Sequence, residues 1–328
     1  MTNLNFWVLA NSGIHTASHL NALLAEFERE NPKISVEISV LNRSALWRRL
    51  FSCLQEAREC EPADVVQIPH YWTALFGRLG FFEDLAELDP KISLRDWLEP
   101  LRPHCTLHQT GRIYSLPWWM DATALHYRAD HLAQITKEPE EALSKWDGFL
   151  KICAELSRKK RPAGYYPLEN SNLRGLASCR DVLPRVWARG GDILTPDGTR
   201  ATLLRDEFLR GVDDYLSLFR KGLMPLLRER GSLGTMLEGK ASMTISRRRA
   251  PAPPPEAGAV EVRTLPVPGG LFGSHAYLSS YNLAVSKESA RSKEALSLVK
   301  WLCRDDSQAK YSQLIGAFTS EGLRVGRP

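Results

Sequence analysis

The chain has 328 residues, of which 43% are hydrophobic and 25% charged, and a net charge of +5. That length passes the ~250–300 residues at which single cores tend to stop growing, so two domains are expected. No run approaches the ~20 apolar residues of a membrane span, and the basic excess is spread along the chain without the stripe that a nucleic-acid binder carries. Its only basic clusters, Lys159–Arg161 and Arg247–Arg249, read as solvated loop faces.

The first elements alternate between strand and helix. Leu4–Ala10 is a short apolar run, and Ala17–Glu30 then places Leu20, Leu23, Leu24 and Phe27 at helical spacing until Asn31-Pro32 stops it. Ile34, Val36, Ile38 and Val40 alternate strictly, as a strand does. Ser44–Arg58 is helical, with Leu46, Trp47, Leu50, Phe51 and Leu54 on one face, and Ala63–Ile68 is a compact buried-strand run. This β-α-β-α-β order predicts a parallel sheet with right-handed crossovers. Ligands of such sheets lie at the strands' carboxyl ends, which favours the loops that start at Asn11, Asn42 and Pro69.

Further on, Gly111–Leu116 reads as a short hairpin and Ala122–Tyr127 as a strand. Helical segments follow near Trp146–Ser157, Leu173–Ala188 and Leu204–Lys221, with a Pro196-Asp197-Gly198 turn between the last two. Ala241–Ser246 and Ala259–Leu265 read as strands on either side of the proline-rich loop Pro251–Pro255. Tyr277–Ser286 is another strand, and helices at Ser289–Cys303 and Ser307–Ile315 follow it.

Reactive chemistry finds little support. Cys53, Cys60, Cys105, Cys153, Cys179 and Cys303 form no Cys-x-x-Cys pair; as dispersed, unpaired thiols they suit a reducing compartment. Gly234-x4-Gly239-Lys240 is a near miss for a phosphate loop: Ala241 stands where a hydroxyl should hold magnesium, and the segment precedes a strand. His15 and His19, like His104 and His108, are four apart but lack a third ligand, so no metal or other cofactor is expected. Asp213-Asp214 and Asp305-Asp306 read as exposed helix faces. No Gly-x-Ser-x-Gly occurs, and nothing pairs a second carboxylate with Asp121 as a glycosidase would need.

Several segments together are similar to the extracytoplasmic solute-binding proteins of carbohydrate ABC transporters, the group that includes maltose-binding proteins. They are LNFWVLANSG (Leu4–Gly13), LLAEFERENPKISVEISVL (Leu23–Leu41), PADVVQIPHYWTALFGRLGFFEDL (Pro62–Leu85), GRIYSLPWWMDATALHYRADHL (Gly111–Leu132), LEGKASMTIS (Leu237–Ser246), LPVPGG (Leu265–Gly270), YLSSYNLAVSKES (Tyr277–Ser289) and WLCRDDSQAKYSQLIGAF (Trp301–Phe318). The resemblance covers nearly the whole chain in order. It implies a two-lobed α/β fold in which each lobe is a mainly parallel sheet flanked by helices. Residues 1–116 and 276–328 would form the first lobe and 117–275 the second, with hinges near Pro117–Asp121 and Phe272–Tyr281. It also implies a non-enzymatic, monomeric substrate-binding component of an ABC importer that captures a carbohydrate between its lobes for permease subunits.

Carried over position by position, the resemblance favours Asn11, Ser12, Trp47, Trp72, Trp119, Asp121, Asn170, Asn172, Trp187 and Tyr281 as cleft-lining residues. The chemistry agrees, because sugars offer apolar C–H faces to flat aromatics and hydroxyls to paired donors and acceptors. Trp47 and Trp187 can equally be core residues, and Asp121 a structural hydrogen-bond acceptor at the hinge. Trp118 and Trp119 would point to opposite sides of an extended segment, so at most one of them faces a ligand. Trp301 reads as core. The chain departs from the family where Ser246-Arg247-Arg248-Arg249 replaces the frequent Ser-Gly-Pro-Trp, which makes the site more basic, and it stops several dozen residues early. No export signal is visible, since Asn3 and Asn5 lead straight into the first strand. The family location is periplasmic; the alternative is a cytoplasmic or fused ligand-sensing domain of the same fold.

Overall fold

The computed structural model describes residues 1–55, 63–107, 110–170, 177–226, 233–247 and 260–319. The chain divides into two compact units, Met1–Asp121 with Leu278–Pro328, and Ala122–Tyr277. Among the described residues no helix is long and apolar enough to cross a membrane.

The first unit is built on a six-stranded sheet. Strand β1 (Thr2–Leu9) lies between β2 (Ile34–Leu41) and β3 (Val65–Pro69) and is parallel to both. Two helices make these connections: α1 (Thr16–Glu30) joins β1 to β2, and α2 (Arg43–Gln55) leads from β2 towards β3. Helix α3 (His70–Arg78) follows β3 directly, and β4 (Leu116–Ala122) comes next in this sheet. The sheet order is completed by β9 (Leu278–Val285), antiparallel to β3, and by β10 (Phe318–Thr319), antiparallel to β4. Side-chain alternation along β1 sorts the core into two layers. Leu4, Phe6 and Val8 pack with α1 and with the last two helices, α7 (Ser292–Leu302) and α8 (Asp305–Ile315). Trp7 and Leu9 pack on the other side with α2 and α3.

The second unit carries a four-stranded sheet in the order β6 (Tyr166–Leu168), β7 (Ala241–Ser246), β5 (Ala124–Arg128), β8 (Val262–Leu265). Its core joins α4 (Trp146–Ser157) and α6 (Asp206–Arg220) to these strands. Helix α5 (Ala177–Trp187) packs against α6, where Gly211 lets the backbones meet; a Cβ there would collide with Val186 Cα and lie 2.7 Å from Val186 N.

Two sheets flanked by helices match the α/β architecture read from the sequence, but the sheets are mixed instead of mainly parallel. In the second unit β6 and β7 are parallel, whereas β5 runs antiparallel to both β7 and β8. The predicted hairpin at Gly111–Leu116 is a single antiparallel bridge, Thr106 to Ile113. Strand β4 begins at Leu116, so Trp118 and Trp119 are sheet residues. Cys53 is disulfide-bonded, against the expectation of six unpaired thiols, while Cys105, Cys153, Cys179 and Cys303 are free.

Asp214 is a further correction. It is not a solvating residue: it accepts bonds from Arg189 Nε and Nη2 at 2.7 and 2.9 Å and from Arg185 Nη2 at 3.2 Å. Arg185 is buried, donates to Pro268 O at 2.7 Å and lies 3.9 Å from the Trp146 ring centroid. The helical period that exposes Asp213 turns its neighbour inward onto α5. Removing one partner of a buried pair strands the other charge. Asp214→Asn is expected to cost about 3–5 kcal/mol of unfolding free energy, read by chemical denaturation, with Asp213→Asn near neutral.

Candidate ligand-binding site

The parallel strands β1, β2 and β3 bring three loop starts to one end of the first unit: Ala10-Asn11-Ser12, Asn42-Arg43 and His70-Tyr71. Strand β9 adds Tyr281 at that end, because its antiparallel register sets Tyr281 opposite Pro69. Trp119 of β4 stacks on the Tyr281 ring, with centroids 4.0 Å apart and planes at 13°. Trp118 faces the other way and stacks on Tyr311 at 4.3 Å. Of the adjacent pair, then, Trp119 is the one joined to the carboxyl-end cluster.

Polar groups surround this stack. Arg43 donates through Nη1 to Tyr71 Oη and through Nη2 to Tyr281 Oη, both at 3.0 Å. His70 and His104 stack at 4.0 Å, and the Nδ1 of His104 is 3.1 Å from Ser280 Oγ. Burial depresses the His104 pKa to about 4. Ser12 is half-buried, its hydroxyl 3.1 Å from His19 Nδ1. The Asn11 amide is taken up by the framework, donating to Gln67 Oε1 at 3.0 Å and Tyr311 Oη at 2.9 Å and accepting from Gln67 Nε2 at 3.2 Å. Asp121 is half-buried and is the last residue of this part of the unit.

Trp47 and Trp72 belong to an aromatic cluster of α2 and α3. Their centroids are 4.9 Å apart, and each meets Phe76, at 5.4 and 6.0 Å. Trp72 is buried, so the core reading weighed for Trp47 extends to it; Trp119 is buried too and packs in the core layer of β1 and α1, leaving Tyr281 as the half-buried ring of its stack.

In the second unit the strand ends of β6 and β7 carry Asn170 and Arg247. Asn170 is buried and accepts from Ile245 N at 2.9 Å, which clips the two strand ends together. Asn172 lies outside the described residues. Trp187, the last residue of α5, is half-buried, donates from Nε1 to Asp192 Oδ1 at 3.0 Å and stacks near Tyr277 at 6.2 Å. Arg180 sits 5.8 Å from the Tyr277 ring. Burial pushes the neighbouring Asp181 up to about 7 against the opposing pull of Arg247 and Arg180. Trp187 also walls a cavity of about 860 Å³ together with Asp192, Thr195, Arg205, Phe272 and His275.

The sequence therefore marked Asn11, Ser12, Trp119 and Tyr281, which the fold brings to one end of the first unit, and Trp187 and Asn170, which lie in the second. It missed Arg43, His70 and Tyr71, although the strand-end loops at Asn42 and Pro69 pointed at them, and it missed Tyr277 and Arg180. Each unit offers a polar surface with a flat aromatic pair, suited to a small molecule with an apolar ring face and a rim of hydroxyls. Among the described residues no three His, Cys, Asp or Glu side chains gather as a metal site.

The model of bacterial extracellular solute-binding proteins matches residues 13–309. The chain belongs to that family. Its family and fold are those of binding proteins, not of enzymes. A mannitol-binding protein of Pseudomonas aeruginosa is 29% identical over 133 residues, which span 40% of this chain but only 29% of the relative's length. Among solved structures, the sugar-binding protein MalE of Xanthomonas citri matches with a TM-score of 0.80 at 19% identity, covering 98% of this chain and 80% of that one. UgpB of Mycobacterium tuberculosis, in complex with glycerophosphocholine, matches with a TM-score of 0.78 at 17% identity and the same coverage. These structural likenesses show the fold.

The imidazoles of His104, half-buried, and His131, buried, give a pH test. His131 in the second unit, with Nδ1 2.8 Å from Ser242 Oγ, is likewise lowered to about 4, by burial first and then by Arg128 and Arg161. Depressed folded values favour the neutral form, so stability is full above the unfolded value near 6.5 and falls as pH drops from about 6.5 towards about 4. Denaturation titrations should show this loss, and His104→Gln and His131→Gln should each flatten it.

Proposed function

We propose that the chain is the substrate-binding component of an ABC importer and that its solute is a sugar, a polyol or a related polar small molecule. The observation that carries this is the half-buried Tyr281 ring at the carboxyl ends of β1 and β3, backed by the buried Trp119 and held by Arg43, which also bonds Tyr71. A stacked ring face next to forked donors is what a pyranose or an extended polyol needs. The solutes of the relatives, mannitol and glycerophosphocholine, fall in the same chemical range. ABC permease subunits are the proposed partners and a monomer the proposed state. The hinge segments Pro117–Asp121 and Phe272–Tyr281 remain part of this proposal. Just inside the second unit the two crossings are tied, with Thr123 N bonded to Tyr277 O at 3.1 Å and Tyr277 N to Thr123 Oγ1 at 2.7 Å.

An extracytoplasmic location fits the family description. The disulfide at Cys53 favours the same side, because disulfides persist in oxidising compartments. The cytoplasmic sensing alternative drew on unpaired thiols, and that support is weakened.

The reading is tested by thermal shift with a panel of monosaccharides, oligosaccharides, polyols and sugar phosphates. A true solute at ~100 times its dissociation constant adds ~2.7 kcal/mol. Trp187→Ala should weaken that solute by about 3- to 10-fold. A flat response across the panel sinks the proposal.

A further inference from the structure

We propose that the second unit holds a carbohydrate subsite of its own, the cavity beside Trp187, and that the solute is accordingly an oligosaccharide or glycoside of at least two rings. This rests on the solute-binding reading and narrows its ligand class.

The cavity of about 860 Å³ is lined by residues of the second unit alone. That volume lies towards the upper end of the ~300–1,000 Å³ of small-molecule clefts, more than one sugar ring fills. Two of its aromatic side chains are held in place. Phe272 is fixed although it is 63% exposed. Gly270 N donates to Gly273 O at 2.9 Å and Gly273 N donates back to Gly270 O at 3.3 Å, closing a narrow turn around it, and Phe272 N donates to Ala188 O at 3.2 Å. The ring rests against Gly190, whose φ of +82° and missing Cβ permit the approach; a Cβ there would lie 2.7 Å from Phe272 Cε2. Apolar surface that is exposed and yet fixed marks a binding surface. Trp187 is pinned through Nε1 to Asp192 Oδ1 at 3.0 Å, so its polar atom is engaged and the half-buried indole is left for stacking.

The same bond orients a carboxylate. Asp192 Oδ1 also accepts from Ile193 N at 2.8 Å, which leaves Oδ2 for a ligand hydroxyl. His275 Nε2 is 2.9 Å from Phe272 O. A carbonyl can only accept, so the proton sits on Nε2, and Nδ1 of the neutral ring is a second acceptor. Arg205 lines the cavity as a donor. Flat rings beside two acceptors and a donor match the C–H faces and hydroxyls of linked pyranoses, whereas a wholly apolar ligand would leave these polar groups unpaired.

Titration calorimetry with size series tests this: glucose against maltose and maltotriose, glucose against cellobiose and cellotriose, and mannose against mannobiose, with mannitol as the acyclic reference. In at least one series the oligosaccharide is expected to bind about tenfold or more tighter than its monosaccharide. Phe272→Ala should shrink that ratio to within about threefold, and Phe272→Tyr, which keeps the ring, should retain it. Leu271→Ala, at the more exposed neighbour that does not line the cavity, should leave the ratio in place. Circular dichroism melts establish that the variants fold. Hydrogen exchange of the wild-type chain gives a readout independent of them, since the oligosaccharide should protect residues 190–192 and 272–275. Monosaccharides or mannitol binding as tightly as every oligosaccharide would overturn this inference and leave the solute-binding reading standing. No binding by any member would overturn both. A ratio unchanged in Phe272→Ala, or no protection at those segments, would overturn the assignment to this cavity.

Discussion

The buried amide of Gln67 is the interaction on which the first unit's candidate site depends. Gln67 lies within β3 with no exposure, where an unsatisfied amide would be costly. It satisfies itself on the neighbouring strand: Oε1 accepts from Leu9 N at 2.9 Å and from Asn11 Nδ2 at 3.0 Å, while Nε2 donates back to Asn11 Oδ1. One side chain thereby ends β1, fixes the Asn11-Ser12 loop and ties β1 to β3. Asn11 then passes the constraint to Tyr311, whose ring stacks on Trp118. Trp118 adjoins Trp119, so the framework of the sheet end and the aromatic face presented there are mechanically continuous.

The second unit solves the corresponding problem with charge. Arg185 is buried between Trp146, Pro268 and Asp214, and Arg189 completes the group from the same end of α5. Such a cluster is favourable only when every member is engaged, which makes the placement of α5 on α6 precise. Helix α5 carries Arg180, Asp181 and Trp187, so a structural ion cluster sets the position of the candidate surface there. Asn170 does similar work at the strand ends by holding Ile245 N.

Periodicity made most of the frame legible. Alternation in Ile34–Val40 gave β2 almost to the residue, and the Leu20-Leu23-Leu24-Phe27 spacing gave α1. The opposite facing of Trp118 and Trp119 also followed from strand alternation. Strand direction in the second sheet did not, since pattern along one strand carries nothing about its neighbour's orientation. Asp214 looked like half of an exposed pair because its two arginine partners lie 25 and 29 residues away. Arg43 was invisible for the same reason: its fork includes Tyr281, 238 residues on. Trp72 followed a strand end, as a ligand contact would, yet the aromatic residues of α2 and α3 enclose it.

The central claim is that the carboxyl ends of the parallel strands, and not their amino ends, receive the solute. Hydrogen–deuterium exchange with and without bound solute tests it most directly. The account predicts new protection at Asn11–Thr16, Arg43–Leu46, His70–Thr73 and Tyr281, and at Arg180 and Trp187 in the second unit. Protection confined to the groove that runs along β1 and β2, around Asn3, Asn5, Ser39 and Ser52, would contradict it.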